Sequence, residues 1–277
     1  MIALFINYIL FVGKKMKIHI NENIEVKIGE DAEAIFEKQN DKEFLDNNGV
    51  NKITTERWKL AQITEEKHWM VRNITENDDR NFEHCKKFDN YNCIRNIIFN
   101  KSIEIGCGPF TNLRIIADIA DINNCVLLDP LIDKYLNHDN CRYNKGKLIT
   151  NSGKLVNIEK LLNIPGEQLL EEHNYDLAVC INVLEHCYDI ELFLDNLYRI
   201  CNGYFIFHDK IFSQEQAKRS VEEIYDAAHP LRVGKELIIN FLNNFEKVYE
   251  KSEIIENELT GIDQEFIYFV GRKYDFS

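Results

Sequence analysis

The chain has 277 residues, 45% of them hydrophobic, with 17 Phe and 12 Tyr against four Pro and 12 Gly; this composition builds a packed core and excludes disorder or low complexity. Such a length holds one large α/β domain with room for a helical addition. The formal net charge of −13, with no basic patch in the sequence to offset it, would repel phosphate backbones and anionic lipid, so neither nucleic acid nor a membrane surface is the expected partner.

The first segment, Ile2 to Val12, is apolar apart from Asn7 but falls well short of the roughly 20 residues a membrane helix needs. Its lysines, Lys14 and Lys15, follow the apolar run, whereas a secretory signal carries its charge first. Met16 opens the strand-like Lys17-Ile18-His19-Ile20. Residues 1–15 are therefore expected to be a leader, with Met16 as an alternative start. Residues 16–100 read as an N-terminal hairpin and helical cap: a hairpin over 17–28 around Asn21-Glu22-Asn23, a helix over 31–47, and a longer helix from Thr55. Thr55 is the expected cap and Glu56 lies in the first turn. Trp58, Ala61, Gln62, Glu65, Trp69 and Arg72 share one side of that helix. Two readings stay open, an amphipathic packing helix or a lid over a ligand with Trp58 as a substrate contact.

From residue 101 to 277 short apolar strands alternate with helical stretches, the pattern of a mostly parallel sheet covered on both faces. Strands are expected at 101–105, 124–128, 147–150, 176–181, 203–208, 245–250 and 265–271, and helices at 111–120, 189–201, 213–226 and 234–244. Phe266-Ile267-Tyr268-Phe269-Val270 is apolar enough to be a late strand inserted between neighbours. The eight cysteines include no C-x-x-C pair, so zinc and thioredoxin-like motifs are absent, and free thiols inside apolar runs suit a reducing, cytoplasmic setting.

Ile103-Glu104-Ile105-Gly106-Cys107-Gly108-Pro109 runs an apolar strand into glycines, which let a backbone approach a ligand closely. A dinucleotide fingerprint would place a third glycine where Thr111 stands. Val126-Leu127-Leu128-Asp129 ends a second strand in a carboxylate able to hold ribose hydroxyls, or to cap the helix that follows. Tyr175 to Ile181 is a third strand, followed by Asn182-Val183-Leu184-Glu185-His186. In this order the three segments resemble the Rossmann-like class of S-adenosylmethionine-dependent methyltransferases.

That resemblance implies a Rossmann-like α/β fold with a seven-stranded, mostly parallel sheet, and S-adenosyl-L-methionine as cofactor. It implies cofactor contacts from Glu104 (to the ammonium group), Gly106, Cys107, Gly108 and Pro109 (beneath the methionine part), Asp129 (ribose), Ser152 and Gly153 (a loop against adenine), and Asn182 and Val183 (beside the methyl group). The Trp-bearing helix, Asp129-Pro130-Leu131 and His229-Pro230-Leu231-Arg232 are similar to enzymes of bacterial surface-polysaccharide pathways. A small sugar, sugar phosphate or nucleotide-linked capsule precursor is the acceptor this implies, with Arg232 holding an anionic group.

Hydroxyl methylation needs a base, and histidine suits that work. His208, His186 and His229 all fall beyond strand ends, with His208 favoured because Asp209 adjoins it. Some quinone-pathway methyltransferases with a similar Leu-Glu-His turn bind a divalent ion, but Asn182 stands where they carry a further glutamate, so no metal is expected. A nicotinamide oxidoreductase and a catalytically silent cofactor-binding subunit remain alternatives.

Overall fold

In the computed structural model the described residues are 8–12, 15–21, 24–28, 48–71, 86, 89–170, 175–223, 226–255 and 263–274, the first three segments as backbone only. The expected helix at 31–47 and Arg72 lie outside them. β1 (Tyr8–Val12), β2 (Lys15–Asn21) and β3 (Ile24–Ile28) form an antiparallel three-stranded sheet. The hairpin expected at 17–28 is thus present as β2 and β3, and the expected leader boundary, after residue 15, falls one residue into β2.

A short strand β4 (Gly49–Val50) precedes helix α1 (Thr55–Val71). The cap of α1 is Thr54, not Thr55: its Oγ1 accepts from Arg57 N at 3.2 Å, while the Thr55 hydroxyl turns to Glu56. The remaining strands, β5 (Ile98–Ile105), β6 (Asp121–Leu128), β7 (Lys147–Ile149), β8 (Leu155–Leu162), β9 (Tyr175–Ile181), β10 (Cys201–Ile211), β12 (Phe245–Ile255) and β13 (Gln264–Lys273), make one sheet. Its order is β12-β13-β10-β9-β5-β6-β8-β7. The core β10-β9-β5-β6-β8 is parallel, and β13 runs antiparallel between β10 and β12, where the sequence expected an inserted strand.

Eight strands replace the seven expected, and the difference lies at one edge. The segment at 147–150 is the short outer strand β7, antiparallel to β8. The third parallel strand is β8, where Asn157, Glu159 and Lys160 interrupt the apolar positions and only Val156, Ile158 and Leu162 are buried. A run so mixed reads as a surface segment.

The helices fill both faces. α2 (Leu113–Ile116) and α3 (Ile132–Tyr135) are single turns, the first much shorter than the helix expected over 111–120. α4 (Ile190–Ile200) is capped by Asp189, which accepts from Leu192 N at 3.2 Å, and buries Ile190, Phe193, Leu194, Leu197 and Ile200. α5 (Gln214–Glu223) and α6 (Lys235–Leu242) complete the set, with β11 (Leu231–Arg232) pairing with β4 between them. Alternation along β5 sorts the core: Ile103 and Ile105 pack with α4 and α6, whereas Leu127 and Val179, beside Glu104 in register, pack with α2 and α3.

From β5 the chain winds outward through β6 and β8, then returns to β9 on the other side of β5. The reversal opens a crevice at the carboxyl ends of β5 and β9, the place where open α/β sheets take ligands. Helix α1 lies across that end: Trp58 packs on one apolar layer and Trp69 on the other.

Candidate functional site

The crevice is a cleft open to solvent, floored by strand-end loops and roofed by α1. Gly106, Cys107, Gly108 and Pro109 line it from β5, Asp129 from β6, Pro165, Gly166 and Glu167 from the loop after β8, and Asn182, Val183 and His186 from the turn after β9. Trp58, Gln62, Glu65, His68 and Trp69 face it from α1. Both tryptophans of the chain are therefore at the cleft. This helix buries Arg57, Gln62, Thr64 and His68 as well as apolar side chains.

The floor is shaped by backbone constraints. Gly106 has φ of +69° and Gly108 of +52°, values side-chain-bearing residues rarely adopt. A Cβ on Gly106 would sit 2.5 Å from Val183 Cγ2, so this glycine lets two strand-end loops touch. A Cβ on Gly108, which lines the cleft, meets nothing within 4 Å. Asn182 is also left-handed, with φ of +57°, and its N–H donates to the His208 carbonyl at 2.8 Å. The Asp209 carboxylate then receives the N–H groups of Val183 and Leu184, each at 2.8 Å. Burial pushes Asp209 up to about 6.

Asp129 does two jobs at once. Its carboxylate accepts Leu131 N at 2.8 Å and Gly108 N at 3.1 Å, so it caps the next turn and pins the glycine loop. It is 8% exposed, toward the cleft. Burial pushes it up to about 7, against the pull of those two N–H groups.

Several expected site residues lie elsewhere. Glu104 is fully buried behind the floor: its carboxylate accepts the Thr111 hydroxyl, Asn112 N at 2.7 Å, Asn112 Nδ2 at 3.0 Å and Leu113 N at 3.1 Å. It holds the start of α2 and reaches no ligand space. Ser152 and Gly153 sit in the β7–β8 turn, at the opposite end of β8, where Ser152 bonds Asp118; once β8 is the third parallel strand, the loop at the cleft becomes 163–167. His208 shares the face of Ile206, not of Phe207, and stacks on Tyr268 at 4.2 Å between ring centres, 1% exposed and outside the cleft. Arg232 is buried: its Nε donates to Ser220 Oγ at 2.7 Å, its Nη1 to the His229 carbonyl, and it pairs with Glu185 at 3.6 Å. No guanidinium is left for an anionic acceptor at this position. Glu185 also pairs with Lys210 at 2.6 Å; burial raises it, but Lys210, His229 and Arg232 together hold it below the usual carboxylate range.

His186 and His229 do meet, with ring centres 4.6 Å apart. Between them stands Glu65 of α1, its Oε1 3.7 Å from His186 Nδ1 and 3.9 Å from His229 Nε2. Sequence reading set Glu65 on the right helix face without giving it a role. Behind His229, Asp226 Oδ2 accepts Nδ1 at 2.9 Å. The spacing Asp226-Ala227-Ala228-His229 before Pro230 was a usable signal for that pair. Arg57 of α1 donates to the carbonyls of Asp226 at 2.8 Å and Ala227 at 3.1 Å, fastening this loop to the helix. Trp58 Nε1 donates to the His186 carbonyl at 2.8 Å, and Trp69 Nε1 to Glu65 Oε2 at 3.1 Å. Burial lowers His186; for His229 burial also acts downward, but Asp226, Glu185 and Glu65 overcome it and carry the imidazole up to about 9. The donor atoms of Glu65, His186 and His229 lie within 4.8 Å of one another, a set able to hold a metal ion.

The fold and site define an α/β protein with a roofed ligand cleft at the switch point of its sheet. Neither a protein-family profile nor a curated protein matches the chain. Among solved structures it is similar to the N-methyltransferase NodS from Bradyrhizobium japonicum WM9 in complex with S-adenosyl-L-homocysteine, at 13% identity over 76% of this chain and 99% of that one, TM-score 0.48. It is also similar to mycolic acid cyclopropane synthase CmaA1 with S-adenosylhomocysteine bound (14% identity, 69% and 84% of the two chains, TM-score 0.48). The YcgJ protein from Bacillus subtilis matches at 10% identity over 70% of this chain and 99% of that one, TM-score 0.47.

Two outcomes follow from the site's construction. Gly106→Ala combines a left-handed φ with a contact to a stiff Val183, and is expected to cost about 2 kcal/mol or more. Adding Val183→Ala should return part of that loss in a denaturation cycle; additive losses would show that the two loops are not in contact. His229 retains a proton in the folded chain up to about 9, where the unfolded chain releases it near 6.5. Its contribution is complete below 6.5 and is lost as pH rises through about 9. In chelator-treated protein, thermal unfolding should show a wild-type decline across that window that His229→Asn flattens; parallel curves would contradict the Asp226–His229 pair.

Proposed function

We propose that the chain is an S-adenosylmethionine-dependent methyltransferase acting on a hydroxyl of a small acceptor. One observation carries the choice over the nicotinamide alternative. A dinucleotide fold rests its pyrophosphate on the N-terminus of the helix after the first strand. Here that position is filled from within by the Glu104 carboxylate, bonded to Thr111, Asn112 Nδ2 and the N–H groups of Asn112 and Leu113. A buried carboxylate at that point repels a diphosphate and is indifferent to a ligand without phosphates. Thr111, where a third glycine would allow tight packing, supplies one of those bonds.

The cleft's other groups suit a nucleoside joined to an amino acid. Asp129 offers its cleft-facing carboxylate to ribose hydroxyls. The open side of Gly108 leaves room for the methionine part, and the 163–167 loop takes the place against adenine expected of Ser152 and Gly153. Asn182 and Val183 border the reacting end. The cofactor supplies a methyl group on a sulfonium, and the transfer is an in-line displacement that depends on positioning. The chain's part is to hold the acceptor hydroxyl beside Glu65, His186 and His229, and to shed water beneath Trp58 and Trp69. A sugar-like acceptor, as the sequence resemblance implies, fits a cleft walled by indoles and polar side chains. Its anionic form lacks the support once given by Arg232.

Calorimetry with S-adenosylhomocysteine tests the cofactor assignment. Asp129→Ala removes hydrogen bonds to a charged acceptor, worth about 1.5–3 kcal/mol, so affinity should fall roughly tenfold or more in a folded variant. Wild-type affinity should also weaken as pH drops through about 7, because a protonated Asp129 accepts fewer ribose hydroxyls, and Asp129→Asn should remove that dependence. Unchanged affinity in both variants would overturn the assignment. Incubation with methyl-labelled cofactor and a panel of sugars, followed by mass analysis, identifies the acceptor.

A further inference from the structure

We propose that Glu65, His186 and His229 form a binding site for one divalent transition-metal ion, of the zinc type, whose open coordination position faces the cleft. Two imidazoles and one carboxylate are a common donor set for such ions, and catalytic sites use three protein ligands while leaving the next position free. The donors already converge: Glu65 Oε1 stands 3.7 Å from His186 Nδ1 and 3.9 Å from His229 Nε2. Ligands about 2.1 Å from a tetrahedral ion are roughly 3.4 Å apart, so the set closes by about half an ångström or less on each side of Glu65.

Three further observations are independent of those distances. His186 Nδ1 is buried with no hydrogen-bond partner among the described residues, an atom that a metal would satisfy. His229 is oriented from behind, because Asp226 Oδ2 takes Nδ1 at 2.9 Å and leaves Nε2 toward Glu65. Glu65 is held in the same way through its second oxygen, by Trp69 Nε1 at 3.1 Å. Metal ligands carry outer partners of this kind, which fix the tautomer and the ring. The three ligands come from three segments, α1, the turn after β9 and the loop before β11, so the ion would also clasp the lid to the sheet.

The ion's role rests on the methyl-transfer reading. An acceptor hydroxyl as the next ligand would be acidified. It releases its proton to water, and its oxygen forms the bond to the methyl carbon as the carbon–sulfur bond breaks. The sulfur keeps that electron pair as a neutral thioether.

The test is titration of the chelator-stripped full chain with Co²⁺ and Zn²⁺, followed by visible cobalt absorption and tryptophan fluorescence. Trp58 and Trp69 are the only tryptophans in the chain and both border the cluster. Wild type should bind one equivalent with a tetrahedral or five-coordinate cobalt spectrum. Glu65→Gln, His186→Asn and His229→Asn, each confirmed folded by circular dichroism, should each weaken binding at least tenfold. Glu66→Gln, on the same helix and paired with Lys134, should leave it unchanged. Failure of wild type to bind, or binding that all three cluster variants retain, would overturn the site. Calorimetry with S-adenosylhomocysteine on the same samples separates the two readings. Metal binding without cofactor binding upholds the site and removes the role given to it, whereas cofactor binding without metal binding overturns the site alone.

Discussion

The cleft depends on a carboxylate that does not line it. Glu104, buried between the central strand and the turn that follows, takes hydrogen bonds from Thr111, Asn112 and Leu113. Burial raises its affinity for a proton, and those donors oppose the rise. A carboxyl group in such a place is tolerated only because its oxygens are satisfied. The consequence is a fixed course for residues 106–113. Gly106 is pressed against Val183, Gly108 N–H reaches Asp129, and Arg114 bonds the Phe110 carbonyl at 2.6 Å and Asn151 Oδ1 at 2.6 Å. Three strand ends thereby share one rigid floor, and the same bonds that build it leave no helix N-terminus for a diphosphate.

Above that floor the architecture turns on α1. Arg57 ties it to the loop of Asp226 and Ala227, Trp58 to the backbone of His186, and Trp69 to its own Glu65. The roof and the histidine cluster are consequently one structure: whatever displaces α1 displaces Glu65 from His186 and His229. Asp209 and the Arg232–Glu185–Lys210 group perform the matching task below, holding the turn after β9 and the segment that carries His229. These buried charged groups are thus committed to placing two imidazoles.

Much of this was legible in the sequence, and the failures have common causes. Apolar strands running into Gly106, Asp129 and Asn182 announced the order of strand ends, and Phe266 to Val270 announced an inserted strand, because fully buried strands are apolar on both faces. β8 was missed because its polar alternation marks a strand near an edge, and the loop lining the cleft was consequently placed one connection too early, at Ser152 and Gly153. His208 was misjudged for a related reason: with a period of two, adjacent residues point to opposite faces, so Asp209 beside it could not share its surroundings. Arg232 resembled a free cation because its partners, Ser220 and Glu185, are 12 and 47 residues away and only the fold unites them. Glu65 needed the same long-range information.

The central claim is that the cleft accepts a nucleoside-linked sulfonium and not a dinucleotide. Its most direct test is a side-by-side calorimetric titration of the wild-type chain with S-adenosylhomocysteine and with NADH in the same buffer. One-to-one binding of S-adenosylhomocysteine, with no heat of binding from NADH, is the predicted result; saturable binding of NADH with none of S-adenosylhomocysteine would contradict the account.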